Sequence, residues 1–172
     1  MREHRLIEQI ITPLETELTH ISQENTAHLS FIYNAVDFFK TYVDKYHHGK
    51  EEEILFSELS KKNLDSEHSR IMTELEAEHS YERQTVGNLV ISMEKWSQGD
   101  IQSLANISDN LRKLIELYPR HIEKEDKHFF FSCQDYFTKN ERENLLQAGT
   151  NFNQSFMSLN YEERMNTLLQ HL

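Results

Sequence analysis

The chain has 172 residues, 37% of them hydrophobic, and sets 18 Lys and Arg against 29 Asp and Glu for a formal charge of -11. That size suits one domain with a real core, while four glycines and two prolines leave little turn chemistry for a strand-rich fold. The acidic balance argues against nucleic acid or an anionic membrane as partner, and cations are the favoured company.

Apolar residues at helical spacing predict four long helices over 2-22, 26-60, 67-97 and 101-131, hence an all-α, up-down-up-down four-helix bundle. Polar joints separate them. Ser22 to Asn25 ends the first, Lys61 to Ser66 offers Asp65 or Ser66 as N-cap, and Gln98, Gly99 and Asp100 form a turn whose Asp100 can cap the fourth. Pro13 and Pro119 fall inside predicted helices, where each removes a backbone donor. Beyond them, Thr138 with Glu141 and Asn160 with Glu163 open two short helices, with Gly149 as a stop for the first. The expected division is a bundle over 1-135 and a helical extension over 136-172 packed on it. The single cysteine, Cys133, excludes an internal disulfide and a thiolate metal cluster, and reads as a buried hydrophobe. No leader or membrane-spanning run is apparent, so the cytoplasm is the default expectation.

The apolar stripes contain residues foreign to a core. In the second segment Leu29, Ile32, Val36, Phe39 and Val43 lead to His47 and Glu51 before Ile54 and Leu55 resume the pattern. The fourth reads Leu104, Ile107, Leu111, Leu114, Tyr118, then His121 and Glu125, then Phe129. His79 interrupts the third stripe, and His4 heads the first. Burying ionised carboxylates costs several kcal/mol each unless they are paired or coordinated, so this set calls for a compensating cation.

The motifs also repeat at an offset of about 75 residues. Glu3-His4 reappears as Glu78-His79, and His47-x-x-Lys50-Glu51-Glu52 reappears as His121-x-x-Lys124-Glu125-Asp126. Measured from the joints, all four helices bring their ligands to one height at roughly 1.5 Å of rise per residue. A histidine and a glutamate four apart share a helix face, so both reach one core. Nitrogen and carboxylate donors without thiolate suit iron or manganese better than structural zinc. Glu3, Glu78, Tyr46 and Tyr118 are candidates to orient the imidazoles or line the pocket.

These residues closely resemble the hemerythrin-like, HHE cation-binding family over roughly 3-131. The resemblance implies a non-heme di-iron centre, carboxylate-bridged, with His4, His47, Glu51, His79, His121 and Glu125 as metal ligands, and with Mn or Zn substitution possible. It implies a small-molecule partner such as dioxygen or nitric oxide, no nucleic acid, no membrane, and a possible homodimer. The expected role is to bind such a molecule or to sense iron or redox state, more as a binding protein than as an enzyme. The alternative is a di-iron enzyme that reduces nitric oxide or peroxide or repairs iron-sulfur centres. Oxygen-carrying members place a second histidine one turn from the third-helix histidine, where this chain has Arg83 or Leu75, and an Asp where it has Glu125. Some divergent members carry a ligand directly after the first His-x-x-x-Glu histidine, which makes His48 a candidate. The internal repeat puts Ile122 in that slot, and the preceding residues on its own face, Thr41, Asp44 and Lys45, are polar, so an exposed or supporting role stands beside coordination as an equal alternative. His20, His28, His68, His128 and His171 are expected to face solvent or fill gaps.

Overall fold

A computed structural model describes residues 2–156, and among these every regular element is a helix. α1 (Arg2–Glu8) and α2 (Ile11–Glu24) replace the single first helix expected over 2-22. The break falls at Gln9 and Ile10, where Ile10 N–H turns back to the Ile7 carbonyl. Pro13 accounts for it, because a proline ring collides with the carbonyl four residues earlier, here that of Gln9. Asn25 closes α2 in the left-handed conformation at φ 52°, its N–H bonded to the Ile21 carbonyl.

The second long segment begins at α3 (Leu29–Phe38) and then widens. Phe39–His48 and Glu51–Phe56 are π-helical, joined through Gly49 and Lys50, before α4 (Ser57–Leu59) restores the tighter turn. α5 (Ser66–Ser97) is capped by Asp65, whose carboxylate accepts from His68 N–H at 2.8 Å. Gly99, at φ 94°, makes the reversal into α6 (Ser103–Lys124); Asp100 receives Gln102 N–H and the Ser103 hydroxyl in the turn before it, while the N-cap position itself falls on Gln102 and not on Asp100 as expected. α6 runs through Pro119 and passes into a further π stretch, Glu125–Phe129, followed by a 3₁₀ turn over Ser132–Tyr136.

α5 lies along α6, α1 and α2 pack on α6, and α3 with its π continuation packs on α5. Ile7, Leu14, Ile32, Phe39, Val43, Val86, Leu89, Met93, Ile107, Leu111, Leu114 and Tyr118 fill the larger core. A second core collects Phe56, Leu59, Ile71, Leu75, Phe129, Phe137 and buried Cys133. Burial, then the charge of Asp65, pushes the Cys133 thiol up to about 12, so it packs as a hydrophobe and carries no thiolate. None of the described helices is long and apolar enough to cross a membrane.

α7 (Lys139–Phe156) opens with the expected capping box, Thr138 and Glu141 bonding reciprocally. It does not stop at Gly149, which it passes in helical conformation with no close neighbour. Isolated glycine lowers helix stability without ending a helix whose downstream residues find contacts, and here Phe152 and Phe156 stack on each other and against Tyr46. The expected helix after Asn160 lies outside the described residues. Gly49 makes this docking possible, since a Cβ there would stand 3.1 Å from Phe152 Cζ. Gly49→Ala is therefore expected to loosen α7 by roughly 1 kcal/mol, read as faster limited proteolysis within 139-156 while the helical content of the remainder is kept.

Candidate metal centre

The repeat brings six side chains to one level of the bundle. His4 arrives from α1, His79 from the middle of α5, and His47 with Glu51 and His121 with Glu125 from the two segments that turn π-helical there. All six are buried, Glu51 at 5% and the others at 2% or less. Each glutamate spans two histidines. Glu51 Oε1 lies 3.4 Å from His47 Nε2 and its Oε2 3.4 Å from His79 Nε2, while Glu125 Oε2 lies 3.1 Å from His4 Nε2 and its Oε1 3.4 Å from His121 Nε2.

None of those eight nitrogen and oxygen atoms has a hydrogen-bond partner. An unpaired buried polar atom costs about 1–3 kcal/mol, so a cluster of them is a strain that a bound cation would relieve. The spacing fits one, because donors about 2.1 Å from a common ion stand about 3 Å apart at right angles. Two overlapping quartets arise, each with donor atoms within 4.8 Å of one another: His4, His47, Glu51 and Glu125, and His48, Glu51, His79 and His121. Glu51 belongs to both.

The other face of each of these four imidazoles is held by a carboxylate. Glu3 pairs with His47 Nδ1 at 3.0 Å and Glu78 with His121 Nδ1 at 2.8 Å, as their sequence positions suggested. Glu52 takes His79 Nδ1 at 2.7 Å and Asp126 takes His4 Nδ1 at 3.0 Å, a role not read from the sequence although both follow a ligand glutamate directly. The arrangement obeys the repeat, since Lys50 grips Glu3 as Lys124 grips Glu78. Such partners fix the ring tautomer so that Nε2 faces inward as an acceptor.

The electrostatics agree with sites made for a cation. Burial, then the charge of Glu3, raises the Glu51 carboxyl well above its usual range, and burial with the charge of Glu51 does the same to Glu125. Burial holds the His4 and His79 imidazoles low and brings His47 to about 4 despite its bond to Glu3. Glu3 behaves oppositely: burial would raise it, but hydrogen bonds from His47 and Lys50 and the Lys50 charge bring it to about 2. The metal-free core thus favours neutral His4, His47 and His79 and protonated Glu51 and Glu125.

His48 is the residue that helical spacing left open. It is 1% exposed, both ring nitrogens are unpartnered, and it stacks on His79 with centroids 3.8 Å apart. It ends the π-helical stretch Phe39–His48, beside the equally buried His47. Its repeat partner Ile122 is buried as well, so the slot faces the core in both halves. Arg83, one turn after His79, bonds Glu52 and Asp44.

A buried acid also went unread. Glu82, 1% exposed and with both oxygens unpartnered, lies one turn after His79 and faces the buried Tyr118 hydroxyl and Asp44. Burial, then the Asp44 charge, raises it to about 8. Its position three residues after His79 and four before Val86 was the available signal. Tyr118 lines this wall as expected, whereas Tyr46 packs outward against α7 with Lys50 over its ring at 4.1 Å.

The family model of the hemerythrin HHE cation binding domain matches residues 1–131. The chain belongs to that family. No curated protein and no solved structure matches it. The hemerythrin domain ends where the 3₁₀ turn begins, so α7 lies beyond the matched residues.

Proposed function

We propose that this hemerythrin HHE domain binds two iron ions, one between His4 and His47, the other among His48, His79 and His121, with Glu51 and Glu125 shared. The long helices then form an up-down-up-down bundle over 1-135, with 136-172 as an extension. The observation that carries this reading is the convergence of unpartnered buried nitrogen and oxygen atoms, each ligand imidazole but His48 held from behind by a carboxylate. Imidazole and carboxylate without thiolate suit iron or manganese, and paired carboxylates in a helical bundle suit a two-metal centre.

The two positions are unequal. His48 gives the second ion a third imidazole, so the first keeps fewer protein donors and more room for an exchangeable ligand. An iron pair supplies Lewis acidity and reducing electrons for a small molecule such as dioxygen or nitric oxide. The protein's part is to hold the ligand nitrogens deprotonated and inward and to exclude water, with Phe130 stacked beside His4 at 5.9 Å on that side. On this reading the domain binds such a molecule or reports iron and redox state. Ferrous protein prepared anaerobically is expected to show absorption bands that change on admitting dioxygen or nitric oxide and return on removing it. Irreversible oxidation with no ligand-bound spectrum would contradict it, and sustained consumption of nitric oxide or peroxide would make it an enzyme.

A further inference from the structure

A third group of donors adjoins the paired ligands. Asp44, His48 and Glu82 each place a ligand atom within 4.8 Å of the others. They form a gradient of exposure. The Asp44 side chain is 26% exposed, whereas Glu82 and His48 are each 1% exposed. Neither Glu82 oxygen and neither His48 nitrogen has a partner, so the buried end of the group is unsatisfied in the same way as the paired ligands. His48 is common to this trio and to the quartet with Glu51, His79 and His121.

Arg83 closes the outer end. Its Nε meets Asp44 Oδ1 at 2.6 Å and its NH2 group meets Glu52 Oε1 at 2.6 Å, with 38% of its side chain exposed. Ion pairs at that exposure open readily. A cation drawn to Asp44 would compete with the guanidinium for one carboxylate and release it.

We propose that Asp44, Glu82 and His48 form a staging site that takes a divalent cation from solvent and passes it to the His48–Glu51–His79–His121 position. The proposal rests on the reading of that position as a metal site. The chemistry favours it because a hydrated divalent ion sheds water reluctantly and does so most easily when oxygen donors replace the waters in turn. Asp44 offers the first oxygen at the surface, Glu82 the second in the interior, and His48 then serves both neighbours. The Asp44 carboxylate at the solvent end supplies the charge that draws a cation toward these donors. The remaining walls are Tyr118, whose hydroxyl faces Glu82, and the Arg83 guanidinium.

The test is uptake of Co²⁺ by metal-free full-length chain, followed by stopped-flow absorption and closed by metal analysis. Wild type is compared with Asp44→Asn, Glu82→Gln and Asp109→Asn, the last removing the same charge from an exposed residue on α6. Asp44→Asn and Glu82→Gln are expected to slow uptake about tenfold or more while still reaching the wild-type metal content, and Asp109→Asn to match wild type. An Asp44→Asn rate equal to that of Asp109→Asn overturns the proposal. A lowered final metal content in folded Glu82→Gln also overturns it, since Glu82 would then be a permanent ligand. Should Glu82→Gln fail to fold, Asp44→Asn at the solvent end decides alone. A wild type that takes up no pair of ions refutes the two-metal reading instead, whatever the variants do.

Discussion

Glu125→Gln is expected to lower bound metal from two ions per chain to one or none, and at the same time to raise the melting temperature of the metal-free protein at neutral pH. The first effect follows from geometry, because Glu125 faces His4 with one oxygen and His121 with the other, and an amide replaces one of those oxygens with a donor. The second follows from burial. The Glu125 carboxyl is fully buried, its oxygens are unpartnered, and its folded-state pKa lies well above the ordinary carboxylate value. A carboxyl raised in this way contributes its stability below the unfolded pKa and loses it as pH climbs toward the folded one. At neutral pH the metal-free fold therefore carries a penalty that a neutral amide of the same shape removes. On the order of 1–3 kcal/mol is expected, which for a chain of this size moves the midpoint by roughly 2–4 °C per kcal/mol. Thermal melts with and without metal read both effects, and a variant that still binds two ions, or whose metal-free form melts lower, would refute the bridging role.

Metal affinity should also climb steeply with pH. Glu51 and Glu125 stay protonated well above 4.5 in the metal-free core, each mainly through burial, so binding a cation expels their protons. Each carboxyl that enters the site protonated adds about tenfold in affinity per pH unit. Burial lowers His4, His47, His48 and His79, so above 6.5 these imidazoles are already neutral and add little to the slope. Glu3 works at the acid end. Its folded pKa near 2 means that its stabilisation, up to about 3 kcal/mol, is complete above 4.5 and lost between there and 2. Competition titrations against a chelator of known proton behaviour, run across pH 5.5 to 7.5, would check this, and a flat affinity would exclude protonated glutamates in the metal-free site.

His47, Glu51, His79, His121, Glu125 and His4 were legible because each interrupts an apolar stripe, and because the second half of the chain repeats the first. The bundle level followed from rise per residue alone. What periodicity could not supply was local departure from 3.6 residues per turn. His48 stayed open because the polar Thr41, Asp44 and Lys45 share its face on an α-helix, and that face is no guide within the π-helical stretch Phe39–His48, where His48 is buried. The same widening after Glu51 leaves Ile54 and Leu55 half-buried and sends Phe56 and Leu59 into the second core. At Pro13 the physics was available, and the collision with the Gln9 carbonyl splits the first helix where the proline rule places it. Glu52 and Asp126 were hidden for another reason. Beside a ligand glutamate they look like ordinary surface acids, and only the packing of neighbouring helices turns them onto His79 and His4. Glu82 was missed as one acid among 29 Asp and Glu, although its spacing from His79 put it on the inner stripe.

The most direct test of the two-ion centre is anaerobic titration of metal-free protein with Fe²⁺, followed by metal analysis and magnetic measurements on the oxidised product. Two irons per chain, antiferromagnetically coupled and silent in electron paramagnetic resonance, are the expected result. A single iron per chain, or two irons giving the signals of isolated ferric sites, would contradict it.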